Sequence, residues 1–218
     1  MATAKTKRQP MTRQRVLSAA LELADEIGAT DLTIRRLADA LESKPMTIYH
    51  HVPSKDEILD GIVDLVFAEI DLPDSELDWK PAVRARCVSA RHVLTRHSWA
   101  VPLMESRRSP GPATLRHHDA VVACLRGGLS LTMTGHAYAT LDAFVFGFAI
   151  QEAALPEPGD EMAEVAAEIV TDELAETFPA LHEFAVERAM QPGYDFGDEF
   201  EYGLDLILDA LAERSRRD

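Results

Sequence analysis

An all-α fold is what this 218-residue sequence predicts, on three observations. Apolar residues recur at three- and four-residue steps through nearly the whole chain. Proline and glycine fall at the joints between these periodic segments. No run of strict polar–apolar alternation is flanked by hairpin turn residues. The length suits a small domain followed by a medium one.

Taken in order, the segment 12–27 places Val16, Leu17, Ala20, Leu21, Ala24 and Ile27 on one helical stripe, and Gly28 is the expected cap. Thr33 is an N-cap for a short helix over 34–41 that turns Leu37, Ala38 and Leu41 inward and leaves Arg35 and Arg36 on other faces. A second short helix, 44–50, begins after Ser43 with Pro45 in its first turn, where the missing N–H had no intrahelical partner. Ser54-Lys55-Asp56-Glu57 is a capping box, and the helix behind it carries Ile58, Leu59, Ile62, Leu65, Val66 and Phe67. It stops at a polar stretch with Pro73. The expected organisation is thus a flexible basic tail over 1–11, a first domain over 12–72 and a second over 73–218. Further helices are expected over 81–96, 112–126, 132–154, 161–177, 180–190 and 194–214, with Pro156 to Asp160 as the clearest loop.

The net charge is −15, which on average argues against a nucleic-acid partner, yet the average hides an asymmetry. Up to Lys55 nine bases face six acids, a net +3, so the remainder carries −18. An N-terminal portion that meets DNA and an acidic body held away from it would give that split; solvated acidic helix faces would give it too. No stretch approaches the roughly 18 apolar residues of a membrane span, and the start is basic and polar, so a cytoplasmic protein is expected. Cys87 and Cys124 lack a Cys-x-x-Cys spacing and are expected to be reduced and packed.

Two short helices joined by a tight turn, led by a longer amphipathic helix and followed by a capped one, form the arrangement that lays a recognition helix in the major groove. Here 34–41 supports and 44–50 reads. Met46-Thr47-Ile48 followed by Tyr49-His50-His51 supplies a hydroxyl and a methyl for base edges, a phenol, and imidazoles that donate to phosphates. The basic stretch Lys5 to Arg15 either reaches an adjacent groove or phosphate or is a solubilising start.

The stretches Arg13 to Leu23, Thr33-Ile34-Arg35-Arg36-Leu37-Ala38 and Thr47-Ile48-Tyr49-His50-His51-Val52-Pro53-Ser54-Lys55 resemble, in one order and at one spacing, the N-terminal domain of the TetR family of repressors. The resemblance spans Thr12 to Ile70 and implies a helix-turn-helix DNA-binding domain. It implies that Arg35, Pro45, Met46, Thr47 and Tyr49 approach bases, while Thr33, His50, His51 and Lys55 lie near phosphates. Where many relatives have Gly-Val after the leucine that ends the second helix, this chain has Glu42-Ser43.

In the body, the last helix carries Phe196, Phe200, Gly203, Leu204, Ile207, Leu208 and Leu211 at helical steps. The 132–154 segment, with Leu141, Phe144, Val145, Phe146, Phe148 and Ile150, is apolar almost all round near its end and must be covered on more than one side. The two resemble the helix pair that such subunits give to a four-helix homodimer interface, and Phe200 to Leu208 is similar to the tetracycline-repressor branch in particular. Burial inside one subunit is the alternative.

A small-molecule effector is expected among these helices, and the candidate pocket residues are His97, Trp99, Leu103, Met104, His117, Phe144, Phe148 and Gln151. Tetracycline repressors hold a metal-chelated drug through a His and a Glu; the matching position for that Glu holds Gln151, so a magnesium-tetracycline ligand is not expected. His117-His118-Asp119 and His92 with His97 lack the four-residue spacing of helical metal ligands, and no His-Glu-x-x-His, Gly-x-Ser-x-Gly, phosphate loop or dinucleotide fingerprint occurs. No catalytic residue, metal or cofactor is expected. The reading is a ligand-responsive regulator that binds double-stranded operator DNA as a dimer. The competing reading is a helical ligand carrier or interaction bundle that does not bind DNA, which gains if Arg35, Thr47 and Tyr49 are buried or if the basic start is dispensable to every activity.

Overall fold

The structure is a computed structural model that describes residues 10–106, 109–155, 165 and 170–216, all helix, turn or loop. Helix α1, Arg13–Ile27, starts where the Thr12 hydroxyl accepts from the Arg15 N–H at 3.1 Å and stops at Gly28, whose φ of +77° suits a residue without Cβ. Helix α2, Ile34–Ala40, is capped by Thr33, which accepts from the Arg36 N–H at 3.2 Å. Helix α3, Pro45–Tyr49, opens on its proline, and helix α4, Lys55–Glu69, opens where the Ser54 hydroxyl accepts from the Glu57 N–H at 3.1 Å.

The turn between α2 and α3 closes despite the absence of glycine. The Ser43 N–H donates to the Ala38 carbonyl at 2.8 Å and the Glu42 N–H to the Asp39 carbonyl at 3.0 Å, the paired bonds of a left-handed helix stop. Glu42 takes φ +48° to make them. The departure from Gly-Val therefore costs backbone strain and leaves the turn itself intact.

The body consists of α5 (Trp79–Arg96), α6 (Ala100–Ser106), α7 (Pro112–Arg126), α8 (Leu131–Ala153), α9 (Asp172–Thr177), α10 (Pro179–Phe184) with a π-helical continuation over Ala185–Ala189, and α11 (Asp198–Ser215). Helix α5 packs on α7, α8 and α11, and α8 packs on α7 and α11. Helix α6 was not expected, since it is short and holds Pro102 in its first turn. Helix α11 starts four residues later than expected, because the Tyr194 N–H turns back to the Gln191 carbonyl and the Asp195 carboxylate accepts from the Gly197 N–H. Of the expected 161–177 helix, 161–164 and 166–169 lie outside the described residues, as do Lys5, Lys7 and Arg8 of the tail and the 156–160 loop. Cys87 is a buried thiol and Cys124 a half-buried one. No described helix is long and apolar enough to cross a membrane.

Two hydrophobic cores result, and α4 belongs to both. Its Ile58 and Ile62 join Val16, Leu17, Ala20, Leu37 and Ile48 in the N-terminal core. Its Val63, Val66 and Phe67 join Val83, Val121, Leu141 and Leu204 in the core of the body. Leu21, Trp99 and Leu103 pack against both cores. Each buried aliphatic side chain of this helix contributes about 1.5–3 kcal/mol, so neither half of α4 separates cheaply from its core.

Glu42→Gly is expected to raise the unfolding free energy by about 0.5–1 kcal/mol in urea melts by relieving the left-handed backbone, with the unfolding slope unchanged. A loss of stability would show that contacts of the Glu42 side chain outweigh the strain.

Candidate DNA interface and ligand cavity

Helix α3 is five residues long and is held by one of them: Ile48 is fully buried, with Val52 just beyond it, while Pro45, Met46 and Tyr49 face outward. Met46 is 67% and Tyr49 38% exposed, large values for apolar and aromatic side chains. Thr47 is half-buried, His50 exposed and His51 half-buried. Arg35 projects from the first turn of α2, Thr33 spends its hydroxyl on the cap before it, and Lys55 starts α4 half-buried. All nine sequence-selected positions thus lie on α3, in the turn after it and on the two helix starts that flank it. Ridge packing of α2 on α3 fixes their relative placement.

His97 and Trp99 sit in a polar cluster between the N-terminal unit and the body. His97 ends α5 in a nearly buried position, its Nδ1 2.6 Å from the Asp25 carboxylate of α1 and its Nε2 3.2 Å from the Glu69 carboxylate of α4. The same Asp25 oxygen accepts from the Trp99 indole at 2.7 Å, and Arg96 pairs with Glu69 at 2.6 Å. Both ring nitrogens thus face carboxylate oxygens, one from each of two helices of the N-terminal unit. This polar knot ties the N-terminal unit to the body.

A cavity of about 330 Å³ opens between α4, α6, α7 and α8. Asp60, Val63 and Phe67 come from α4, Met104 from α6, Ser109, Pro110, Gly111, Thr114 and His118 from α7 and the loop before it, and Tyr138, Asp142 and Phe146 from α8. Its size falls within the ~300–1,000 Å³ of small-molecule sites. Of the sequence-selected pocket residues, Met104 lines it and His117 lies behind it, its ring 5.4 Å from that of Phe67. Phe144 and Phe148 stack instead on Phe200 and Phe196 of the α11 side, and Gln151 is exposed. Sequence reading missed the α4 wall and the polar residues of α7 and α8; an acid at Asp142 inside the apolar run of α8 was the one local signal for them.

The polar end of the cavity rests on a buried guanidinium. Arg86 of α5 is 1% exposed; its Nε and Nη2 reach His117 Nε2 at 2.9 and 2.7 Å, and its Nη1 lies 3.4 Å from an Asp142 oxygen. Accepting at Nε2 puts the His117 proton on Nδ1, which has no partner among the described residues. Burial first, then the charge of Arg86, pushes the His117 pKa down to about 3, and burial likewise lowers that of His118, which bonds to the Tyr138 hydroxyl. Next to this cluster, the Asp64 carboxylate of α4 accepts from both the N–H and the hydroxyl of Thr114, at 2.8 and 2.9 Å, and so fastens the first turn of α7 to α4.

The folded His117 ring stays neutral to about pH 3, whereas an unfolded histidine takes up its proton near 6.5. The unfolded state therefore binds the extra proton in that window, and stability is full above about pH 6.5 and falls as pH drops toward 3. His117→Gln keeps an acceptor for Arg86 and does not titrate. Its stability, followed by chemical denaturation between about pH 4 and 6, should fall less steeply than the parent's by about 1.4 kcal/mol per pH unit. Equal slopes in the two proteins would place the acid sensitivity elsewhere.

The apolar stripe that the sequence marks on α11 is used inside the subunit: Phe200, Leu204, Leu208 and Leu211 are buried, and Arg84 of α5 clamps Asp205 at 2.7 Å and Glu201 at 2.8 Å. The opposite face of α11 presents Tyr202 and Leu206, 68% and 56% exposed. The outer face of α8 presents Gly135, Ala139, Ala143, Gly147 and Ile150, with open space beside both glycines. Small residues on one helix face admit another helix at close range.

Comparison with known proteins agrees with this architecture. Residues 16–62 match the family described as bacterial regulatory proteins, tetR family, and residues 72–215 match the tetracyclin repressor-like C-terminal domain. An HTH-type transcriptional regulator of Saccharopolyspora erythraea is 38% identical over 116 residues, a match spanning 53% of this chain and only 49% of that relative. The class A tetracycline repressor of transposon 1721 from Escherichia coli is 30% identical over 96% of this chain and 93% of its own length. The crystal structure of the Streptomyces coelicolor TetR family protein ActR with actinorhodin superposes with a TM-score of 0.75 at 27% identity, covering 95% of this chain and 99% of that one. With both domain types in their order and a full-length repressor at this identity, the chain belongs to the TetR family of transcriptional regulators, which bind operator DNA as dimers and respond to small molecules.

Proposed function

We propose that the protein is a repressor that occupies a palindromic operator as a homodimer and leaves it when a small molecule enters the cavity beside α4. The observation that carries this reading is that one helix, α4, packs in the core under the recognition helix at Ile58 and Ile62 and walls the cavity at Val63 and Phe67. Residues 12–72 serve as the DNA-binding unit and 73–218 as the sensing and dimerising unit, so α4 is counted with the first although its second half lies in the second. Dimerisation through the outer faces of α8 and α11 sets the distance between two α3 helices, which must match half-sites one helical turn or more apart. A ligand that widens the cavity displaces α4 and spoils that match, and its differential affinity for the two states sets the response.

Arg35, Met46, Thr47 and Tyr49, with Pro45, are the base-facing set in this reading, and Thr33, His50, His51 and Lys55 the phosphate-facing set. Their exposure supports it, because a carrier bundle has no use for an outward Met46 and Tyr49 on a five-residue helix anchored by Ile48. The protein acts by binding alone, in the cytoplasm, where its DNA is. The effector is not a magnesium chelate of the tetracycline kind, since Gln151 stands exposed and away from the cavity.

Fluorescence anisotropy against the DNA flanking its own gene and a scrambled duplex tests the reading. The native duplex should be preferred by about 10³-fold or more at physiological salt. Arg35→Ala and Tyr49→Ala should each cost about 1–3 kcal/mol on that duplex alone, while Lys55→Ala should weaken both duplexes and lower the salt slope by about one. Equal binding to both duplexes, together with an empty selection from random DNA, would return the carrier reading.

A further inference from the structure

We propose that the cavity takes a flat aromatic ligand that carries a hydroxyl, and that the Asp142 carboxylate selects it by accepting the hydrogen bond of that hydroxyl. The proposal rests on the reading of the cavity as the effector site and names the chemistry it accepts.

A carboxylate in a cavity wall dictates the hydrogen bond that a ligand must bring to it. Asp142 stands in the apolar run of α8 and lines the cavity, with 16% of its side chain exposed. As the partner of a guanidinium it accepts hydrogen bonds and donates none, with room for about four across its two oxygens. Arg86 of α5 approaches one of those oxygens at 3.4 Å. A tight charge-assisted bond runs to about 2.7–2.9 Å, so this longer contact leaves the carboxylate able to accept a further donor. The acceptor is also held still. Arg86 is 1% exposed and is fixed in turn by His117, whose Nε2 accepts from its Nε at 2.9 Å and from its Nη2 at 2.7 Å. An acceptor placed by buried neighbours needs no ordering when a ligand arrives, and its bond is correspondingly selective.

The walls decide which donor fits. Phe67, Tyr138 and Phe146 supply aromatic rings, and Val63 and Met104 add apolar, adaptable surface, so a flat ring system suits the space. A hydroxyl on that ring system brings a single donor and no charge, and its O–H···O⁻ bond is of the short, strong kind, about 2.5–2.7 Å. An ammonium would bring three donors and surrender its hydration among the rings. A ligand that meets Asp142 with a ketone, ether or carboxylate oxygen sets acceptor against acceptor and leaves both unpaired. The Thr114 N–H and hydroxyl, in the same wall, already donate to Asp64 and are spent within the protein.

Two tricyclic probes isolate the donor: 9-phenanthrol and 9-methoxyphenanthrene share one ring system and one oxygen, and only the first has a hydroxyl to give. Each is titrated into the full chain by fluorescence at neutral pH without DNA. The phenol should bind about 10-fold or more tighter than its methyl ether. Asp142→Asn removes the charge and adds an N–H that can meet the ether oxygen, so the preference should drop to about 3-fold or less. Because that change strips Arg86 of its counter-charge and endangers folding, a second variant replaces the pair together, Arg86→Met with Asp142→Leu. There the preference should vanish while the ether still binds, which reports an intact cavity. Met104→Trp, which fills the cavity, should abolish binding of both probes. If neither probe binds the parent protein, the cavity is not an aromatic-ligand site and both readings fall. Probes that bind alike, with both lost in Met104→Trp, would keep the site and overturn the role of Asp142. A preference for the phenol that survives the double variant, or binding that survives Met104→Trp, also overturns it.

Discussion

Helix α4 has to satisfy two cores at once, and most of what is distinctive in this molecule follows from that constraint. Ile58 and Ile62 cannot leave the helix-turn-helix core, and Val66 and Phe67 cannot leave the body, without exposing apolar surface worth a few kcal/mol on either side. A displacement of the helix therefore moves whatever is packed on it. The Asp64 carboxylate adds a directional link to this apolar one, since it caps the first turn of α7 at the edge of the cavity. The shared helix thus carries the recognition unit at one end and a cavity wall at the other.

The polar knot at His97 limits the directions in which that helix moves. Asp25 of α1, Glu69 at the end of α4, and His97 with Trp99 from the body are bonded to one another in a half-buried setting, so the N-terminal unit is attached to the body at the end of α4 as well as along it. In the reading proposed above, motion transmitted from the cavity is a tilt about this fixed end. A tilt of that kind changes the separation of two recognition helices in a dimer more than it changes either helix itself.

Local signals in the sequence carried most of the fold. Thr33 and Ser54 mark helix starts by a hydroxyl three residues before a bare N–H, and each forms that bond. The burial of Ile48 and the outward placement of Met46 and Tyr49 were equally legible, through motif spacing and the amphipathic pattern. The cavity was not, because its walls come from α4, α6, α7 and α8 and meet only through tertiary packing. His97 shows why: a histidine between apolar helices reads as a pocket residue, and nothing nearby announces that its partners are Asp25, 72 positions away, and Glu69, 28 away. The stacking of Phe144 and Phe148 on Phe200 and Phe196 was hidden for the same reason, since a helix apolar on several sides does not say which side faces α11. Helix α6 escaped notice because seven residues with an internal proline hold too little periodicity to register.

Coupling between the cavity and the DNA-reading helix is the centre of this account, and the operator affinity of Met104→Trp measures it most directly. A tryptophan here stands in for a bound ligand without touching any DNA-facing residue. With helicity and dimerisation intact, affinity for the native duplex should fall by about 10-fold or more. Full operator affinity in that folded, dimeric variant would show that the cavity is filled without consequence for α3, and would contradict the role given to α4.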